Sequence, residues 1–133
     1  MNPHLFVYGT LLSGAGHPMG ARLRREARLL GEGSVQGRLY RVSWYPALVA
    51  THDDDARVHG EVYELNNPAA TLNWLDSYEG ISRTSSELNA YRRAECAVRL
   101  AAAAEMLAWV YLYQRPVRGL QLILDGRWRP RRH

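Results

Sequence analysis

At 133 residues the chain is long enough for one domain with one substantial core, and 47% apolar content excludes a disordered protein. No run of 18 apolar residues offers a membrane-spanning helix, and no basic segment followed by an apolar stretch opens the chain, so a cytoplasmic protein is expected. The formal charge is +4, with 17 arginines and no lysine.

The first element in chain order is a short apolar run, Leu5-Phe6-Val7-Tyr8, which predicts a strand buried on both faces. It stops at Gly9-Thr10-Leu11. Gly9 is expected to take a backbone conformation forbidden to a side chain, and to let another group approach the peptide. A plain strand-to-loop transition explains these residues more simply. Pro18 then suits the first turn of a helix, and Met19, Leu23 and Ala27 at helical spacing predict an amphipathic helix over 19–30. Glycines 31, 33 and 37 punctuate the chain before an alternating strand over 37–42, and Trp44-Tyr45 turns into an apolar strand ending at Val49. A turn at Asp53-Asp54-Asp55 precedes a strand over 58–65. Asn67-Pro68 opens a helix through Tyr78, with Gly80 as its stop signal. Strands over 91–100 and 106–113 pair as a hairpin, and the run 120–124 ends at the turn dipeptide Asp125-Gly126.

About six strands and two helices in irregular order predict an α+β fold. Its sheet is expected to be mixed, mostly antiparallel and barrel-like, rather than doubly wound and parallel. Cys96, on an alternating strand, reads as a small buried hydrophobe. Five arginines lie between Arg118 and Arg132. They read as a solvated tail rather than a nucleic-acid contact, because no basic stripe is interleaved with exposed aromatics. The cluster His52 to Asp55 with His59 has no diagnostic metal-ligand spacing.

One carboxylate breaks the local pattern. At 100° per residue Leu72, Leu75 and Glu79 share a narrow helix face, with Asp76 beside them. An inward Glu79 at the last turn opposes the helix dipole and loses hydration, and both effects raise its pKa toward the range of a general base. A frayed end that turns Glu79 to solvent or to an arginine fits the spacing equally well.

Taken together, Tyr8-Gly9-Thr10-Leu11 and Leu75-Asp76-Ser77-Tyr78-Glu79-Gly80 resemble the gamma-glutamylcyclotransferase-like family, of the gamma-glutamylamine cyclotransferase type. Tyr45-Pro46-Ala47-Leu48, Val58-His59-Gly60-Glu61-Val62-Tyr63, Tyr91-Arg92-Arg93, Ala108-Trp109-Val110-Tyr111 and Gly126-Arg127-Trp128 follow in the family's order. The family often has an apolar residue where this chain has Tyr78, and 81–90 does not align with it. The resemblance implies a six- or seven-stranded mixed barrel over 1–128, followed by a basic tail over 129–133. It implies a cofactor-free cyclisation of a small γ-glutamyl amide to 5-oxoproline, with Glu79 as catalytic acid and base. Tyr8, Gly9, Thr10 and Leu11 would hold the substrate, and 81–90 would form a loop over the pocket. A monomer without membrane or metal partners is expected, and a binding module that keeps the pocket without turnover is the alternative.

Overall fold

In the computed structural model, residues 1–81, 89–101 and 104–129 are described. Strand β1 (His4–Val7) leads through a loop to helix α1 (Pro18–Glu26). Strands β2 (Ala27–Gln36), β3 (Arg38–Arg41), β4 (Pro46–Val49) and β5 (Arg57–Leu65) follow. Helix α2 (Pro68–Tyr78) then precedes β6 (Tyr91–Leu100), β7 (Glu105–Tyr113) and β8 (Gln121–Ile123).

The expected fold class holds. Five strands close a barrel in the order β1-β5-β2-β6-β7, and three more form a separate sheet, β4-β3-β8. All pairings are antiparallel except β1 with β7, whose parallel contact at Leu5 and Trp109 closes the barrel. The strands expected in one barrel are therefore divided between two sheets. Closure leaves the five barrel strands without a free edge.

Strand β1 is buried on both faces, as its unbroken apolar run requires: Leu5, Phe6 and Val7 are almost inaccessible. Phe6 points into the barrel among Val35, Val58, Val62, Val98 and Val110. Leu5 and Val7 point the other way, into a second cluster with Leu23 of α1 and Leu72 and Leu75 of α2. The two helices thus cover β1 from outside and hold the chain just beyond it in place. Trp128 completes the barrel cluster, with the Arg41 guanidinium 4.2 Å from its ring centre.

Helix α1 is shorter than its spacing predicts. It ends at Glu26, and Ala27–Leu30 begin the ten-residue strand β2. The Glu26 side chain explains the stop. Its carboxylate accepts bonds from Thr71 (2.7 Å) and Trp74 (2.9 Å) on α2, and these bonds, that from Trp74 foremost, hold it below the usual carboxylate range against the opposing effect of burial. The helix end is therefore tied to α2, while Ala27 turns to extended backbone. A register shift between Leu29 and Gly31 bends β2 where the sequence shows only glycine punctuation. Cys96 is half-buried rather than fully buried, and its thiol is raised by burial. In the tail, Arg129 pairs with Asp125 at 2.7 Å; 130–133, and 82–88 of the expected pocket loop, lie outside the described residues.

Candidate active site

The chain leaves β1 through a tight turn in which the Leu12 N–H bonds to the Gly9 carbonyl at 3.0 Å. This closing bond uses neither the Thr10 nor the Leu11 N–H, the two donors inside the turn. Of the two reasons expected for glycine at position 9, close approach of another group holds and a special backbone conformation does not. Gly9 is not among the glycines with positive φ. Instead, a Cβ there would meet the Pro46 ring at 2.7 Å, so the absence of a side chain lets β4 close against the turn.

Opposite this turn stands the end of α2. Asn67 caps the start of the helix, its side chain accepting the Ala70 N–H at 3.2 Å. At the other end Gly80 adopts φ 77°, the Gly80 N–H bonds to Ser77 (3.1 Å) and the Ile81 N–H to Asp76 (2.8 Å). That pair of bonds is a Schellman cap, which ends the helix sharply and leaves Glu79 as its C-cap. The frayed alternative is excluded. Leu72 and Leu75 are buried on the same face, and Glu79 continues it into a cavity.

That cavity, about 220 Å³, is walled by Tyr8, Gly9, Thr10 and Leu11 on one side and by Tyr78 and Glu79 on the other. Trp44, Tyr45 and Pro46 of the segment entering β4, with Tyr91 and Tyr111 of the β6–β7 hairpin, complete it. The two segments join directly: the Thr10 and Tyr78 hydroxyls lie 2.7 Å apart. Glu79 is the only carboxylate among the described lining residues, and its pKa is raised from 4.5 to about 7. Loss of hydration is the larger cause and the nearby Asp76 charge the smaller.

The Asp76 carboxylate is held by side chains of the β6–β7 hairpin. It receives two bonds from the Arg93 guanidinium (2.8 and 3.2 Å) and one from the Tyr111 hydroxyl (2.7 Å). This fixes the last turn of α2 against the β6–β7 hairpin, with Arg93 also lying over the Trp109 ring. Tyr8 lines the cavity and is itself held in place. Its hydroxyl is buried and donates to the Tyr111 carbonyl at 2.5 Å, and burial pushes its pKa far up. Tyr8 is therefore a fixed wall, while Thr10 and Leu11 offer polar groups. Tyr91 is held likewise, donating to the Pro46 carbonyl at 2.6 Å. Neither Tyr91 nor Pro46 carries a site signal of its own in the sequence, although both fall in the blocks that resemble the family.

Comparison with known proteins shows the family. The pattern of the family described as "Gamma-glutamyl cyclotransferase, AIG2-like" matches residues 5–130. The chain belongs to that family. A relative from Escherichia coli strain K12, "Gamma-glutamylcyclotransferase family protein YtfP", is 38% identical over 125 residues, covering 93% of this chain and 94% of its own length. "Gamma-L-glutamyl-butirosin B gamma-glutamyl cyclotransferase" of Niallia circulans is 33% identical over 115 residues, 85% of this chain and 68% of that relative. Among solved structures, Escherichia coli ytfP superposes with a TM-score of 0.60 over 94% of this chain and 95% of that one. A mouse AIG2-like protein reaches 0.69 at 22% identity, covering 98% of this chain and 97% of its own, and shares the fold. Within this gamma-glutamyl cyclotransferase fold, the cavity lies where β1, α2, the segment entering β4 and the β6–β7 hairpin meet.

Proposed function

We propose that the chain converts a small γ-glutamyl amide into 5-oxoproline and a free amine, with Glu79 as the acid and base. The α-nitrogen of the substrate attacks its own γ-carbonyl carbon, closing a five-membered ring. The C–N bond to the departing amine then breaks. Attack requires a free amine, so one proton leaves the substrate's ammonium before attack, and a second leaves the same nitrogen as the ring closes to a lactam N–H. One of the two reaches the leaving nitrogen, and the other ends on the released amine or in water. A single carboxylate can take a proton from the attacking nitrogen and deliver it to the departing one. At a pKa of about 7, Glu79 is half-ionised near neutrality and suited to both tasks.

The nucleophile belongs to the substrate, so the protein has only to fold it and move the proton. The described walls of the cavity contain no serine, cysteine, lysine or histidine, which fits a self-attacking substrate. The Thr10 and Leu11 N–H groups are suited to hold the substrate's carboxylate or the developing oxyanion. The packed aromatic walls favour one compact conformer, in which amine and carbonyl are already close. The raised Glu79 facing the β1 turn across one cavity carries this reading.

Incubation with a panel of γ-glutamyl amines and γ-glutamyl peptides, following 5-oxoproline, tests it. Release whose rate climbs with pH through about 7 is expected, because the base must first be ionised. Binding of 5-oxoproline with no turnover of any compound would make the protein a binding module and overturn the assignment.

A further inference from the structure

The turn after β1 and the end of α2 are joined through a third element, the start of α1. His17 caps that helix, and its Nδ1 accepts the Met19 N–H at 3.1 Å. Its Nε2 lies 3.5 Å from the Tyr78 hydroxyl, the two rings meeting edge to face with centres 5.5 Å apart. Trp44 stacks on the imidazole, with ring planes 5° apart. Tyr78 in turn lies 2.7 Å from Thr10 Oγ1.

Distances alone leave the donors in the last two contacts undecided. The first contact decides that to His17, and the arrangement that keeps the phenol's own proton in use then sets the other. A backbone N–H only donates, so His17 Nδ1 must present its lone pair, and the neutral ring then carries its proton on Nε2. That N–H faces the Tyr78 oxygen. The phenol, accepting there, turns its own proton toward Thr10 Oγ1. Thr10 accepts in its turn, and its own O–H proton is left for a partner on the cavity side.

We infer that Thr10 presents an oriented O–H donor to an anionic oxygen of the substrate, and that His17 and Tyr78 are positioning residues that set its direction. The inference rests on reading the cavity as a γ-glutamyl site. It adds a side-chain donor to the backbone donors of the turn, and it assigns a task to the Tyr78 hydroxyl.

Two experiments separate its failure from failure of the proposed reaction. The first needs no turnover. The ring nitrogen shifts of His17 in labelled protein should show the Nε2–H tautomer at neutral pH; the Nδ1–H tautomer overturns the inference and leaves the reaction untouched. The second compares variants. Thr10→Val should raise KM about tenfold, the worth of one hydrogen bond to a charged oxygen, and Tyr78→Phe should raise it about threefold. His17→Asn keeps a cap acceptor for Met19 while removing the Nε2–H donor, and should behave as Tyr78→Phe does. The double variant Thr10→Val with Tyr78→Phe should be no worse than Thr10→Val alone, because both act on one donor. The same order should appear in affinity for 5-oxoproline itself, and the pH midpoint of kcat should not move. Multiplying losses in the double variant, or an unchanged KM and affinity in Tyr78→Phe, would overturn the inference.

Discussion

Two hollows lie on either side of the loop that leaves β1. Residues 9–11 wall the smaller, of about 220 Å³, and residues 12–15 wall the larger, of about 440 Å³. The larger cleft carries Glu32, His59, Glu61, Arg127 and Arg129 along the outside of the barrel. Its charges are of both signs and partly spent: Ser13 donates twice to Glu61, and Arg129 pairs with Asp125. The smaller holds one carboxylate among aromatic rings, and that carboxylate is the one displaced to about 7. Size therefore does not single out the hollow proposed as the reactive one. A poorly hydrated acid sharing its cavity with the turn after β1 does.

The largest expected effect breaks the comparison at its centre. Glu79→Gln should lower kcat/KM for 5-oxoproline release by about 10²–10⁴, the usual worth of a general acid–base group. Glu32→Gln in the larger cleft should change it by less than about twofold. Equal effects would remove the distinction between the two hollows.

The second effect concerns stability and has a definite sign. Glu79 binds its proton more tightly folded than unfolded. Its contribution is fully present below about 4.5 and is lost as pH rises through about 7. Above that, the fold carries an ionised acid it solvates poorly, at a cost on the order of 3 kcal/mol. Glu79→Gln should therefore be more stable than the parent in urea at pH 8, and the gap should close by pH 4. A gap independent of pH would mean the carboxylate is well hydrated.

A third test uses two glycines of the same loop. Gly9→Ala should destabilise by about 1–3 kcal/mol, because the new methyl overlaps Pro46. Gly14→Ala meets nothing within 4 Å and should be neutral, or stabilise by up to about 1 kcal/mol. Urea melts of the two variants compare them. The smallest effects lie behind Glu79. Asp76→Asn removes the like charge and should move the rising limb of the pH–rate profile to lower pH. Arg93→Gln leaves Asp76 uncompensated and should move it to higher pH. Shifts in the same direction would show that packing, rather than charge, couples them.

Much of this was legible because its signals are local. The buried strand at Leu5 to Val7 and the helix from Asn67 to the Gly80 stop follow from unbroken runs and caps within one segment. The spacing of Leu72 and Leu75 leaves Glu79 open between an inward and a frayed placement, and the cap at Gly80 decides for the inward one. Strand β2 escaped because its apolar signal is weak: a bulge at Gly31 interrupts it, and part of it is exposed. The helical spacing of Met19, Leu23 and Ala27 continues past the true stop, which depends on Glu26 reaching α2. The Asp76–Arg93–Tyr111 cluster and the His17–Tyr78–Thr10 chain join residues from distant segments, and no pattern within one segment announces them. Gly9 shows the limit most clearly: its need was visible, but the reason, Pro46, lies in another strand.

The most direct test of the central claim is the titration of the Glu79 side-chain carboxyl carbon by NMR in the folded protein. A midpoint near 7 is expected, falling when Asp76 is replaced by asparagine. A midpoint near 4.5 would show a hydrated surface acid and contradict the account.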